Sequence, residues 1–217
     1  MSTPLATGNR ALNHVVTQFF GNVARAYDTA ALQHVVYRPP QDQVIAELRA
    51  AGSRRIADIG CGTGILTSRI QRELHPDIVY GIDASTGMLA QARTRSAQVE
   101  WRHAAAEHLP LGDGEIDAVV STSAFHFFDH PAALREFQRV LVPGGLAAIA
   151  TMHPSAPTAR PIQRLTRNPI WPAHAPSPRE TRKLLQDAGF EVVDQRKISR
   201  PLPSWLIPDV ITVGRRK

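Results

Sequence analysis

The sequence predicts an α/β fold, with a seven-stranded, mostly parallel sheet, a final antiparallel hairpin and a helical N-terminal cap. Three observations carry this. Short apolar runs alternate with helix-period segments from Arg55 to Thr151, the pattern of strand–helix–strand crossovers. A glycine-rich turn, Gly60-Cys61-Gly62-Thr63-Gly64, joins the first run to a helix. The last two apolar runs have no helix between them, which implies an antiparallel pair.

Taken in order, the first segment reads as helical. Leu12, Val15, Val16, Phe19, Phe20 and Val23 recur at helical spacing, and Leu32, Val35 and Val36 suggest a second helix. Pro39 and Pro40 are expected to end that segment, since proline lacks an amide and restricts its predecessor. A helix over 41–51 follows, with Val44, Ile45 and Leu48 on one face and Gly52 as its stop. Strands over 55–59, 78–82, around Val99 and Trp101, 116–121 and 146–151 then alternate with helices over 65–74, 85–96 and 131–141. Residues 153–176 hold six prolines and little periodicity, so they read as a long loop or lid. A helix over 177–188 opens at Ser177-Pro178 and stops at Gly189, before strands over 190–198 and 210–213. The expected organisation is one domain: cap 1–40, core 41–152, loop or lid 153–176, and C-terminal helix with hairpin 177–217.

Composition narrows the function. The chain has 217 residues, 43% hydrophobic and 20% charged, enough to bury a core without staples. A single cysteine, Cys61, excludes an internal disulfide framework. Met1 to Arg10 lacks an apolar signal-peptide core, and no run of about 18 apolar residues occurs. A cytoplasmic protein with no membrane span is the expectation. The net charge of +6 suits an acidic partner, but it is scattered and no nucleic-acid-reading motif accompanies it, so nucleic-acid binding is not expected.

The glycine turn allows a sharp bend and close approach of a ligand to the backbone, beside free amides at a helix start. Asp83 ends the second strand, 19 residues after Gly64, where a carboxylate can accept from both ribose hydroxyls. The dinucleotide fingerprint needs a third glycine at position 65, which is Ile65. Asp58, inside the motif, suits a cationic amino group better than a pyrophosphate. These features point to a nucleoside carrying positive charge.

Asp58-Ile59-Gly60-Cys61-Gly62-Thr63-Gly64, Gly81-Ile82-Asp83-Ala84-Ser85 with Met88, Ala106-Glu107-His108-Leu109-Pro110 and Leu141-Val142-Pro143-Gly144-Gly145 together resemble the class I S-adenosylmethionine-dependent methyltransferases. The likeness is to the small-molecule branch that includes ubiquinone/menaquinone, malonyl-carrier and trans-aconitate methyltransferases. The resemblance implies a Rossmann-like fold with S-adenosylmethionine as cofactor. Gly60, Cys61 and Gly62 would pass beside its methionine moiety, with Asp58 near the amino group. Asp83 would bind the ribose, and Ala84 and Met88 would flank the adenine. The Ala106 amide would face the ring edge, with Glu107 beside it, and Ser121 would border the sulfur. Ala105 departs from the family pattern, where Asp is common and accepts from the adenine amino group. Tyr27, Tyr37 and Arg38, in cap-like segments, would close over the carboxylate end.

Methyl transfer from a sulfonium is an in-line displacement that needs alignment and dryness, and a base only when the nucleophile carries a proton. His126 and His153, just past the fourth and fifth strands, are the base candidates. Phe125, Phe127 and Phe128 are expected as core or as an apolar substrate wall, and Trp171 as a lid residue or loop anchor. No metal-ligand spacing is present. The expected function is methyl transfer to a small-molecule acceptor on oxygen, nitrogen or carbon. A malonyl-carrier ester methyltransferase, with an acidic carrier protein as partner, is the alternative. A non-catalytic S-adenosylmethionine-binding module and a nicotinamide reductase are the readings from other classes.

Overall fold

A computed structural model describes residues 37–152, 176–200 and 209–217. Most of the predicted cap, with Tyr27, and almost all of the predicted lid, with His153 and Trp171, lie outside the described residues. Helix α1 (Arg38–Ala51) starts three residues before its predicted start. Pro39 and Pro40 lie in its first turn, which has no intrahelical use for their missing amides. Then come β1 (Arg55–Ile59), α2 (Ile65–Leu74), β2 (Ile78–Asp83), α3 (Thr86–Arg95), β3 (Glu100–His103) and β4 (Ile116–Thr122). A 3-10 turn (Phe125–Phe127), α4 (His130–Val140), β5 (Leu141–Met152), α5 (Pro178–Asp187), β6 (Phe190–Lys197) and β7 (Asp209–Arg216) complete the described elements.

The seven strands form one sheet in the order β3-β2-β1-β4-β5-β7-β6. All neighbours are parallel except β5–β7 and β6–β7, so the closing hairpin is antiparallel as its helix-free connection implied. Strand order reverses between β1 and β4, and a ligand crevice opens at that switch, beyond the strands' C-terminal ends.

Successive residues of the central strands feed opposite faces, which is why these strands read as continuous apolar runs. Ala57, Ile59 and Val119 join Leu134, Phe137, Leu185 and Phe190 on the α4–α5 side. Ile56, Ala118 and Val120 join Val44, Leu48, Leu66 and Ile70 on the α1–α2 side. The helices are placed by local signals. Ser85 and Asp129 cap α3 and α4 by accepting from Met88 and Ala132 amides. Ser177 and Glu180 make a reciprocal capping box on α5. Each cap is worth about 1 kcal/mol.

Trp101 on β3 presses its indole ring across β2, with its ring N–H donating to the Ser96 carbonyl at 3.0 Å. A methyl group on Gly81 would stand 2.3 Å from that ring. Gly81→Ala is therefore expected to destabilise the fold by about 1–3 kcal/mol in urea denaturation. Trp101→Leu in the same chain should recover part of the loss, giving a favourable coupling in the double-mutant cycle.

Candidate active site

Four loops at the switch point build one cavity of about 270 Å³. The first is the glycine turn after β1. The Gly60 and Cys61 amides both donate to the Ile82 carbonyl, at 2.8 and 3.1 Å, which bends the chain across the end of β2. Gly60 has φ +72°, and a Cβ there would meet the Ala124 methyl at 2.4 Å. Gly62 has φ +56° and only open space where a side chain would stand. The turn is thus sealed on one side and bare on the side a ligand would approach.

Asp83 ties this turn to the second loop. One carboxylate oxygen accepts from the Gly62 amide and the other from the Ser85 amide, each at 2.8 Å. Burial raises its pKa, and the two amides oppose that rise. Each oxygen keeps a second lone pair for a hydroxyl donor. Ala84 and Met88 supply apolar surface beside it, and Ala104, Ala105, Ala106 and Glu107 line the facing wall. The Glu107 carboxylate accepts from the Asp129 amide at 2.7 Å, which joins that wall to the start of α4.

The third loop, after β3, carries Ala104–Glu107, and the fourth follows β4. Ser123 takes a left-handed backbone, φ +56°, and its amide donates to Ala150 at 3.0 Å. Thr122, Ser123 and Ala124 thereby turn into the cavity, with Phe127 and Phe128 beyond them. Phe125 points the other way, fully buried and stacked on His130.

Of the residues singled out in the sequence, Gly60, Cys61, Gly62, Asp83, Ala84, Met88, Ala106 and Glu107 line this one cavity, as does Tyr37. Asp58 lies behind the turn, 1% exposed, and accepts from the Thr67 hydroxyl at 2.6 Å. Burial pushes its pKa up to about 7; the Thr67 bond lowers it and nearby Asp83 raises it further. Ser121 is fully buried next to the lining residue Thr122, and its hydroxyl has no partner among the described residues. Burial also drives the Cys61 thiol well above its ordinary pKa, with Asp83 and Asp58 adding to the rise.

His126 stands one residue from the lining, its ring 4.1 Å from that of Phe127. Burial, and to a lesser extent His130, lowers its pKa to about 4, so the ring is neutral at physiological pH. Arg38 does not reach the cavity. Its half-exposed side chain pairs with Asp42 on the outer face of α1, which leaves the carboxylate end to other groups. Gln41, which the sequence reading passed over, does line the cavity and is 6% exposed. The available signal was a polar residue at helical spacing from Val44, Ile45 and Leu48, on the buried face of α1.

The described lining suits a purine nucleoside with a charged amino-acid tail. It offers an acceptor pair at the end of β2, apolar flanks beside it and a bare glycine turn. No lysine or arginine lines the cavity among the described residues, and no His, Cys, Asp and Glu cluster there could hold a metal.

Comparison with known proteins agrees with this geometry. Residues 57–149 match a family described as a methyltransferase domain. The chain is 30% identical over 193 residues to the malonyl-[acyl-carrier protein] O-methyltransferase of Dechloromonas aromatica, covering 88% of this chain and 71% of that protein. It is 31% identical over 172 residues to the 2-phytyl-1,4-naphtoquinone methyltransferase of Nostoc punctiforme, covering 72% and 73%. Other curated relatives are spanned over only about half their length, 53% and 49% for two of them. Among solved structures, a SAM-dependent methyltransferase from Thermotoga maritima superposes with a TM-score of 0.71 at 25% identity, covering 94% of this chain and 99% of that one.

Asp58 provides a pH test of the site. Its carboxyl ionises near 3.8 when unfolded and near 7 when folded, so the folded state favours the protonated form. The resulting penalty is absent below about pH 4, grows as pH rises, and is complete above about pH 7. Relative to Asp58→Asn, the wild type should lose on the order of 3–4 kcal/mol between pH 4 and 8. Parallel denaturation curves for the two proteins across that range would show it; a constant difference would mean that Asp58 is not held protonated.

Proposed function

The chain belongs to the class I S-adenosylmethionine-dependent methyltransferases, and from that premise we propose that it transfers a methyl group to a small, uncharged acceptor held against Phe127 and Phe128. One observation carries the cofactor half of this reading. Asp83 presents two carboxylate oxygens, each oriented by a backbone amide, at the mouth of a bare glycine turn. The bound cofactor supplies an electrophilic sulfonium methyl; this chain's residues bind, orient and exclude water.

Asp83 would take the ribose hydroxyls, with the adenine between Ala84 and Met88 on one side and Ala104–Ala106 on the other. Its amino-acid end would lie along Gly60–Gly62. Asp58, close behind the turn, would lose its proton as a cationic amino group arrives and so strengthen the bond. Thr122 to Ala124 would border the reacting centre, backed by Ser121. Phe127 and Phe128 would keep water from the line of displacement. His126 would act as a proton acceptor only for an acceptor that reaches past Phe127. Its neutral form is at least available across the physiological range. Neutral acceptors whose nucleophilic atom carries no proton, such as a tertiary amine or a thioether, need no base.

The apolar lining supports an uncharged acceptor, since no cation among the described lining residues would meet an acceptor carboxylate. A second reading, transfer to a malonyl thioester on a carrier protein, draws on the relatives named for that reaction and on the +6 charge.

Calorimetric titration tests the cofactor. S-adenosylhomocysteine should bind the wild type at micromolar concentration, at least tenfold more weakly after Asp83→Ala, or about 1.4 kcal/mol. NADH should not bind. Incubation with methyl-labelled cofactor should then label neutral aromatic or enolic acceptors in preference to malonyl-carrier; the reverse preference would select the second reading.

A further inference from the structure

The cavity lining holds both acceptors and donors. Asp83 can only accept when ionised. Gln41 lines the same cavity as Ile65 and Leu66, the opening residues of α2. That helix starts at Gly64 with no side-chain cap and no acidic residue of its own in the first turn, so its N-terminus favours a negative group.

The orientation of the Gln41 amide is dictated. Arg69 donates from its guanidinium to the Gln41 side-chain oxygen at 3.0 Å. Arginine has no acceptor, so the oxygen must face it and the NH2 group must face away. Arg69 is itself fixed by Glu73 at 2.9 Å and Asp42 at 2.6 Å, with its side chain 12% exposed. With its oxygen held by Arg69, this 6% exposed residue leaves its amide nitrogen to the cavity that it lines. Two N–H donors on a cavity wall next to a helix N-terminus suit an anionic or strongly accepting group.

We propose that Gln41, its amide set by Arg69, reads the carboxylate at the amino-acid end of the cofactor. The proposal rests on the functional reading above, which places a nucleoside with an amino-acid tail in this cavity. Gln41 would touch the ligand directly, whereas Arg69 acts as a positioning residue behind it. This arrangement gives the carboxylate a neutral donor with a cation one bond away, in place of the Arg38 side chain that lies outside.

Two ligands separate this from a structural role. S-adenosylhomocysteine carries the carboxylate; 5′-methylthioadenosine has the same nucleoside and sulfur without the amino-acid end. Gln41→Met keeps side-chain volume and should weaken the first about tenfold or more while changing the second less than twofold. Arg69→Met, which frees the amide to flip, should weaken the first about threefold or more and also spare the second. Variants that bind S-adenosylhomocysteine as the wild type does, or that lose both ligands in proportion, would overturn the assignment. A wild type that binds neither ligand would overturn the functional reading itself and the assignment with it.

Discussion

The Asp83 carboxylate, between two backbone amides, is the constraint on which the rest of the site depends. A carboxylate at the end of a parallel strand, half withdrawn from water, is costly unless its charge is met by donors. Gly62 and Ser85 meet it. In doing so they fix the glycine turn against β2 and open α3 at its Ser85 cap. The turn cannot then relax without leaving the carboxylate short of a bond. The same requirement explains why Gly62 is bare on the cavity side: its amide is committed to Asp83, and a side chain at its positive φ would be strained.

The other walls are joined to this centre by contacts of different kinds. Gly60 packs directly on Ala124, so the β1 and β4 loops share a surface with no room for even a methyl group. The Ala104–Glu107 wall is tied to α4 through Glu107 and the Asp129 amide, then further along by Arg139. That guanidinium donates to the Leu109 and Leu111 carbonyls and pairs with Glu136 and Asp113. Glu136 in turn accepts from the Leu109 amide at 2.8 Å. A long segment without regular structure, between β3 and β4, is thereby held to one helix. Its polar backbone groups are met by side chains where a sheet would otherwise meet them.

Much of this was legible in the sequence. The alternation of apolar runs and helical periods located the described strands and helices, and Ile65 set the turn apart from a dinucleotide site. β5 starts five residues before its predicted start, because Leu141 already pairs with Ile116 across a register shift. The start of α1 was misjudged because a Pro-Pro pair opens a helix as readily as it closes one. Only the packing of Val44 and Leu48 beneath the sheet decides which. The 3-10 turn at Phe125–Phe127 left no periodic trace, being one turn long. Ser123 was not legible at all: a serine held at positive φ is dictated by the bond to Ala150, a tertiary contact. Gln41 escaped because first-turn positions are usually polar and solvated, and only α2 packed against it makes this one buried. Asp58 and Ser121 were found by motif, but their burial behind the lining depends on where the chain turns.

Cys61 places a thiol in the wall of a cavity that handles a methylating electrophile. A thiolate there would compete with the acceptor, because sulfur anions are strong nucleophiles toward sulfonium carbons. The two neighbouring carboxylates and the surrounding burial hold that sulfur in its protonated form. Asp83 and Asp58 thus keep this thiol in its less nucleophilic form within the cavity wall. A small, polarisable side chain fits the cramped turn, and its reactivity is silenced by its neighbours.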